Sequence, residues 1–307
     1  MQESNEVSGV RLLVTGASGF VGQHFCRQYG GASLQDELGA VDLRDAGRVQ
    51  SALAAATPQR VLHLAAQSSV ASSIRDPEST FAINFIGTFN LLQALKATGF
   101  QGVFLYIGSA EVYGQTSEAE LPIRESQVLR PRSPYAVSKI AAEALCYQWS
   151  QNENFRVIMA RPFTHIGPGQ DRRFAVSDFA HQIAAIRCGK RTPYLMTGDL
   201  NVVRDITDVR DTIRAYKMLL DNGKSGEIYN VCSGQGRTLH SVVEELMILA
   251  GVQAELRTDA SRLRATEQRR IIGDLRKVNE QIGWFPQIPI TTTLTDVLLA
   301  VAEETNE

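Results

Sequence analysis

Four short, nearly continuous apolar runs mark the first half of the chain: VRLLVTG from Val10, RVLHLAA from Arg60, GVFLYIGS from Gly102 and RVIMARP from Arg156. Unbroken runs of this length predict strands buried on both faces, not half-exposed strands of alternating polarity. Between them lie FVGQHFCRQY, PESTFAINFIGTFNLLQALKA and SPYAVSKIAAEALCYQW, each with apolar residues near helical spacing. Strands alternating with helices predict a parallel sheet covered on both sides, a doubly wound α/β domain.

The pattern changes after Pro162. Gly167, Pro168 and Gly169 mark a loop, a helical stretch runs from Phe174 to about Cys188, and RDITDVRDTIRAYKMLL returns to strand followed by helix. EIYNVCSG from Glu227 reads as another buried strand. From Gln235 onward come short helices, an arginine-rich loop and a closing helix near Thr293 to Glu303. The expected plan is a Rossmann-type domain of residues 10–162 plus about 202–231, with a smaller discontinuous domain of about 163–201 plus 232–307.

TGASGFVG, Thr15 to Gly22, joins the first strand to the first helix. Gly16 permits the tight turn, Gly19 lets the backbone approach a pyrophosphate, and Gly22 allows close packing of helix on strand. The helix start at Phe20 and Val21 then offers N–H donors and a partial positive charge to phosphates. A glycine-rich turn without a ligand is the plain alternative, and the flanking strand and helix weigh against it. An acidic residue for the adenosine ribose is expected about 20 positions on. Asp36 and Glu37 fall there, but GGASLQDE is no recognisable buried strand, so the second strand is shortened or missing. No arginine pair suited to a 2′-phosphate replaces it, and NADH and NADPH both stay open as cofactors. Asp42 and Leu43, in AVDLRD, end the next strand, where they either face an adenine or belong to an ordinary loop.

Composition narrows the classes. The 307 residues carry a net charge of −2 and 44% hydrophobic residues, which argues against a nucleic-acid binder. The longest apolar runs, such as VFLYI, are too short to span a bilayer, and MQESNEVSG lacks the order of a signal peptide. Cys26, Cys146, Cys188 and Cys232 are scattered without metal-ligand spacing, as expected of reduced thiols in the cytoplasm and no metal site.

The candidate chemistry sits on two segments. Tyr135 and Lys139, in SPYAVSK, are four apart and share one helix face. A free phenol, with a pKa of about 10, is a poor proton shuttle, and a neighbouring ammonium is expected to pull it towards neutrality. Tyr135 is then the proton partner of a carbonyl or carbinol oxygen during hydride transfer. Ser109, at the end of GVFLYIGS, is placed to hydrogen-bond the same oxygen. A tyrosine–lysine pair alone is weak, since solvated helices carry it by chance. After a glycine loop and a strand-end serine it is strong.

TGASGFVG, DLRD, HLAAQ, NFIGTFNLL, GSAEVYG, SPYAVSK, ARPFTHIGPGQ and RDITDV together resemble the extended short-chain dehydrogenase/reductases that act on nucleotide sugars, over nearly the whole chain. ARPFTHIGPGQ, VRDITDVRD, EIYNVCSGQ and LRATEQRR are most similar to the bacterial branch that reduces a GDP-linked 4-keto-6-deoxy sugar. The resemblance implies reduction of the C4 ketone of GDP-4-keto-6-deoxy-D-mannose by NAD(P)H to GDP-D-rhamnose, and a homodimer. It implies that Leu64, Ala65 and Ala66 border the dinucleotide, and that Lys139 also holds its ribose. Pro162 and Phe163 would pack on the nicotinamide. Ser109, Ala110, Thr164, Arg204, Arg264 and Glu267 would meet the sugar nucleotide. Thr164 stands where the family usually has asparagine, and it loses an amide donor. His165 reads as a packed loop histidine.

Related dehydratases carry Thr-Asp-Glu or Thr-Ser-Glu where this chain has Ser109-Ala110-Glu111. Ala110 removes the acid that helps expel the C6 hydroxide in the TDP-glucose type, which favours ketone reduction, with Glu111 a positioning group. GDP-mannose dehydratases lack that acid too, so a dehydratase or epimerase stays as the alternative. A non-catalytic dinucleotide sensor is more distant, since such a protein is expected to lose the tyrosine or lysine.

Overall fold

The computed structural model describes residues 11–263 and 268–306. The chain divides into two compact units: residues up to Val112 with Ser133–Arg161 and Tyr216–Ile228, and Tyr113–Arg132 with Pro162–Ala215 and Tyr229 onward.

The first unit opens with β1 (Leu12–Thr15) and α1 (Phe20–Tyr29), then a two-residue hairpin, β2 (Gln35–Asp36) with β3 (Gly39–Ala40), and α2 (Ala46–Ala56). β4 (Arg60–His63) leads into α3 (Val70–Arg75), α4 (Pro77–Phe81), a π-turn at Ala82–Ile86 and α5 (Gly87–Ala97). β5 (Val103–Ile107), α6 (Pro134–Asn152) and β6 (Arg156–Pro162) follow. The sheet order is β1-β4-β5-β6-β10, with β10 at Ile228–Val231. The β1–β4, β4–β5 and β5–β6 ladders are all parallel. Successive strand residues point to opposite faces, and both sets are buried. Leu13, Val61, Phe104 and Val157 join a cluster with Leu53 of α2, Leu91 and Leu95 of α5, and Trp149 of α6. Val14, Leu62, Leu105 and Ile158 on the other face are equally inaccessible. A sheet covered on both sides is why the strands read as unbroken apolar runs.

Beyond β1 the second strand survives only as a bridge. Ala32 exchanges hydrogen bonds with Val14 and Leu12, at 2.8 and 2.9 Å, and Val41 donates to the Leu34 carbonyl at 3.1 Å. Gly31 sits at φ +125°, where a Cβ would lie 2.7 Å from Val14 Cγ2. The two glycines and the polar residues after them supply nothing to extend the ladder.

The second unit contains β7 (Thr164–Ile166), α7 (Ala175–Arg187), β8 (Tyr194–Thr197) and β9 (Val203–Asp208), which runs into α8 (Val209–Asn222). β11 (Gly236–Thr238), α9 (Leu239–Ala250), β12 (Glu255–Thr258), β13 (Arg270–Ile271), α10 (Arg276–Ile282) and α11 (Ile290–Asn306) complete it. Phe179 and Ile183 of α7, Leu246 of α9 and Leu294 and Val297 of α11 close one core over Leu195 and Ile206.

This division corrects the expected one in two places. Residues 202–215 belong with the second unit because β9 is the hub of its sheet, pairing with β7, β11 and β13. Residues 113–132 join it because Ile123 bridges Gly273 and the Tyr113 hydroxyl donates to Asn230 Oδ1 at 2.6 Å.

Candidate active site

The glycine loop is built from backbone contacts that exclude side chains. Gly16 sits at φ +72°, and a Cβ there would lie 2.8 Å from the Ala65 nitrogen. A Cβ on Gly22 would lie 2.2 Å from the Gly16 carbonyl oxygen. Gly19 caps α1 without any side-chain acceptor, whereas Asp45 and Ser133 accept from the first turns of α2 and α6. No acidic residue lies in the first turn of α1. An uncapped helix start behind a turn that a methyl group would fill fits a dinucleotide pyrophosphate. Phe20 and Val21 begin that helix, and Leu64, Ala65 and Ala66, half-buried, follow β4 beside it. The Leu64 N–H donates to the Thr15 carbonyl at 3.1 Å.

The acidic residues expected near the adenosine are engaged with arginines. Asp36 holds Arg48 through two bonds of 2.8 and 2.7 Å. Asp42 holds Arg44, with the shortest contact 2.6 Å, and its carboxyl lies below the usual range because of that arginine. Leu43 packs against the first unit's core, and its carbonyl accepts from Asn90 at 2.9 Å.

Ser109 follows the last residues of β5, where ligands gather in open α/β sheets. Its Oγ accepts the Glu111 N–H at 3.2 Å, which fixes the short 3₁₀ turn from Ala110 to Tyr113. Ala110 is buried. On α6, Ser133 caps the helix and Pro134 supplies its first turn, so Tyr135 and Lys139 stand one turn apart near its start. Tyr135 is 6% and Lys139 5% exposed. Ser109 is near enough to the Tyr135 phenol to act on its pKa as a polar partner.

Electrostatics correct one expectation. Burial pushes the Tyr135 phenol up to about 12, Ser109 opposes this, and the nearby Glu111 charge adds to it. Lys139 does not draw the phenol towards neutrality, because its Nζ donates to the Ile107 carbonyl at 2.8 Å and lies 5.1 Å from the Tyr106 ring centre. Burial lowers Lys139 itself to about 8, with Cys146 and Glu143 resisting.

The second unit carries the remaining candidates. Pro162 and Phe163 are buried, and Phe163 packs 6.2 Å from the Tyr113 ring centre. Thr164 is exposed on β7 opposite Ile206. Arg204, on β9, donates to the carbonyls of Val203 and Gln268 at 3.0 and 2.9 Å. Arg264 and Glu267 lie outside the described residues. The His165 ring contacts the Phe163 carbonyl at 3.0 Å, and burial lowers its pKa.

Three groups escaped the sequence reading. Asp205 is buried and gathers the N–H groups of Ser233, Gly234 and Gly273 and the Ser233 hydroxyl, tying two loops to β9 beside Arg204. Glu143 and Arg161 form a buried bidentate pair at 2.8 and 2.6 Å. His63, Thr88, Asn84 and Ser138 form a buried polar chain beneath the catalytic candidates. Their one signal in sequence is a polar residue at an otherwise apolar strand or helix position.

Dinucleotide turn, strand-end serine and tyrosine–lysine helix place the first unit in the short-chain dehydrogenase/reductase class, in its extended form. Comparison with known proteins narrows this. The GDP-mannose 4,6 dehydratase family profile matches residues 32–297, and the chain belongs to that family. It is 46% identical over 292 residues to the GDP-6-deoxy-D-mannose reductase of Pseudomonas aeruginosa, covering 94% of this chain and 96% of that protein. The structure of RMD from Pseudomonas aeruginosa complexed with NADPH superposes with a TM-score of 0.91 at 44% identity, covering 96% of this chain and 99% of that one. A UDP-glucose 4-epimerase of Thermus thermophilus complexed with NAD gives 0.82 at 28% identity, covering 95% and 98%.

Proposed function

We propose that this protein reduces the C4 ketone of GDP-4-keto-6-deoxy-D-mannose to GDP-D-rhamnose, with NADPH or NADH as cofactor. The observation that carries the reading is the strand-end Ser109 acting on a buried Tyr135 at the start of α6, with an inert Ala110 between Ser109 and Glu111. The reductase likeness, at 46% identity, supports the same substrate class.

The residues that would hold the dinucleotide are the Gly16–Gly22 turn, the N–H groups at the start of α1, Leu64 to Ala66, Asp42 and Leu43, with Lys139 at the ribose and Pro162 and Phe163 at the nicotinamide. When bound, it supplies the hydride for C4. Tyr135 gives the proton to O4. A phenol near 12 keeps its proton at neutral pH, so the acid form is ready. An alkoxide is a stronger base than a phenolate, so the raised pKa does not block transfer to the reduced oxygen. Ser109 holds that oxygen and, as a polar partner of Tyr135, stabilises the phenolate left behind. Lys139, largely charged below about pH 8, is assigned to the dinucleotide ribose from the next turn of α6. Thr164, Arg204, Arg264 and Glu267 are assigned to the sugar nucleotide, the arginines to its diphosphate. With purified protein, GDP-4-keto-6-deoxy-D-mannose should consume one NADPH per ketone, and Tyr135→Phe should lower the rate by at least about a hundredfold. Undiminished turnover by Tyr135→Phe would remove Tyr135 as the donor.

Retention of Glu111 favours a second reading, a dehydratase acting on GDP-mannose with cofactor recycled in each turnover. Conversion of GDP-mannose without net cofactor change, lost in Glu111→Gln, would establish it.

The protein is also proposed to be a cytoplasmic homodimer. Ile86, Phe89, Val137 and Tyr147 are large apolar side chains, 37 to 52% exposed, at the π-turn and on α5 and α6. A second copy covering that face is the arrangement the resemblance implies. Cys26, Cys146, Cys188 and Cys232 are all free thiols, in keeping with a reducing compartment. A light-scattering mass of one chain at working concentration would overturn the dimer.

A further inference from the structure

A single hydrogen-bonded chain runs through the interior of the first unit, and its direction is fixed by counting protons. The Ala65 N–H reaches Thr15 Oγ1 at 3.3 Å, Thr15 Oγ1 lies 2.7 Å from His63 Nδ1, and His63 Nε2 lies 2.9 Å from Thr88 Oγ1. The Thr88 hydroxyl donates to the Asn84 carbonyl at 2.7 Å. With its own proton used there, Thr88 accepts from His63, so the ring carries its proton on Nε2. Nδ1 then accepts from the Thr15 hydroxyl, whose oxygen accepts from Ala65. Every polar atom is satisfied in this arrangement. In the reverse one the Thr15 proton has no acceptor.

The chain continues to the catalytic helix. Asn84, at the centre of the π-turn, clamps the Gln67 backbone from both sides, accepting its N–H at 2.8 Å and donating to its carbonyl at 3.1 Å. It also donates to Ser138 Oγ at 2.9 Å, and Ser138 donates to the Tyr135 carbonyl at 2.7 Å. Thr15, His63, Asn84, Thr88 and Ser138 are each at most 4% exposed. A π-turn widens a helix by one residue and often marks a functional position. Here it lets one amide reach a loop and a neighbouring helix at once.

We infer that His63 and Thr88 are positioning residues, forming a neutral strut that sets the dinucleotide turn at Thr15, Gly16 and Ala65 against the backbone of Tyr135. This rests on the assignment of Tyr135 as proton donor. Neither residue touches substrate in this reading. Their effect is on the distance between hydride source and proton source, to which transfer rates are steeply sensitive. Burial keeps the imidazole uncharged, as a strut between two hydroxyls requires.

Thr88→Val keeps the shape and removes the hydroxyl, leaving the His63 Nε2 proton without its acceptor; Thr88→Ser keeps the bond. At a temperature where circular dichroism shows both variants folded, Thr88→Val should weaken NADPH binding, read by fluorescence without sugar, about tenfold. It should lower kcat at least about tenfold with KM for the sugar nucleotide within about twofold, and Thr88→Ser should restore both. Nitrogen-15 NMR of the wild-type protein at pH 7 should show His63, identified by its loss in His63→Gln, as neutral imidazole protonated on Nε2. A folded Thr88→Val with NADPH affinity and kcat within about twofold of wild type would overturn the inference. So would a wild-type His63 protonated on Nδ1 or on both nitrogens, which decides the matter even if Thr88→Val does not fold. NADPH affinity and the ring signal do not depend on Tyr135 chemistry, so a failure of the Tyr135 assignment is seen separately in Tyr135→Phe.

Discussion

Gly22→Ala tests the dinucleotide turn most sharply, because two physical effects oppose each other there. Gly22 is a helical residue of α1, so propensity alone favours alanine by about 1 kcal/mol. Sterics oppose it with larger force. The new Cβ would stand 2.2 Å from the Gly16 oxygen and 2.7 Å from the Ala17 Cα, both inside the 3.4 Å at which such contacts become ordinary, the first by more than an ångström. All these atoms are backbone, so no side chain can swing aside. Relief requires α1 or the Thr15–Ser18 turn to move by about an ångström, at an overpacking cost of about 1–3 kcal/mol. A displacement of that size at the phosphate-binding N–H groups should weaken NADPH binding by about a hundredfold. Gly19→Ala is the control for packing only, read by its melt, which should stay near wild type: its Cβ would meet one atom, the Gly16 oxygen, at 3.3 Å, with φ at −74°. The assay is NADPH titration by fluorescence, with thermal melts of both variants. If Gly22→Ala binds NADPH within about twofold of wild type and melts no lower, the packing account of this loop is wrong.

Other consequences concern the supports of the site and its pH dependence. Arg161→Met leaves the Glu143 carboxylate buried without its bidentate partner. It should cost about 3–5 kcal/mol, measured by denaturant unfolding, and Glu143→Gln in the same background should recover part of that. A loss under about 1 kcal/mol would show the pair to be incidental. Lys139 is held near 8 in the fold against 10.5 free, so the unfolded chain binds more protons between those values. The group therefore weakens the fold most below about pH 8, and its contribution should make stability rise from there to about pH 10.5. Activity should move the opposite way, falling above about pH 8 as Lys139 loses its charge while Tyr135 stays protonated. A falling limb in kcat/KM that Lys139→Arg leaves unshifted would contradict this. Asp205→Ala frees the N–H groups of Ser233, Gly234 and Gly273. It should raise KM for the sugar nucleotide several-fold more than KM for NADPH.

The strands of the first unit were legible because a sheet covered on both faces demands unbroken apolar runs, and VRLLVTG, RVLHLAA, GVFLYIGS and RVIMARP are such runs. The reduced second strand was legible for the converse reason, since GGASLQDE offers two glycines and polar residues where a ladder needs side chains to pack. The tight glycine turn, the strand-end place of Ser109 and the shared start of α6 for Tyr135 and Lys139 could be read from spacing, because each position needs a particular residue type or offset. Three features could not be. Spacing along a helix places Lys139 near Tyr135, but the Ile107 carbonyl that takes its ammonium is 32 residues away in sequence and is met only on folding. The strut of Thr15, His63, Thr88, Asn84 and Ser138 likewise gathers residues from two strands, a π-turn and two helices. Each alone reads as an isolated polar residue in an apolar stretch. The place of β9 in the second unit escaped for a similar reason: its partners β7, β11 and β13 are short, and a three-residue strand leaves little periodicity to detect.

The most direct test of the central claim follows the hydride itself. The protein is given GDP-4-keto-6-deoxy-D-mannose with NADPH carrying deuterium on the transferred position, and the sugar product is examined by mass spectrometry. Net ketone reduction puts one deuterium at C4 and oxidises one NADPH for each product formed. Product without deuterium, or turnover of GDP-mannose with no net change in the cofactor, would contradict the reductase and make Glu111 a working base.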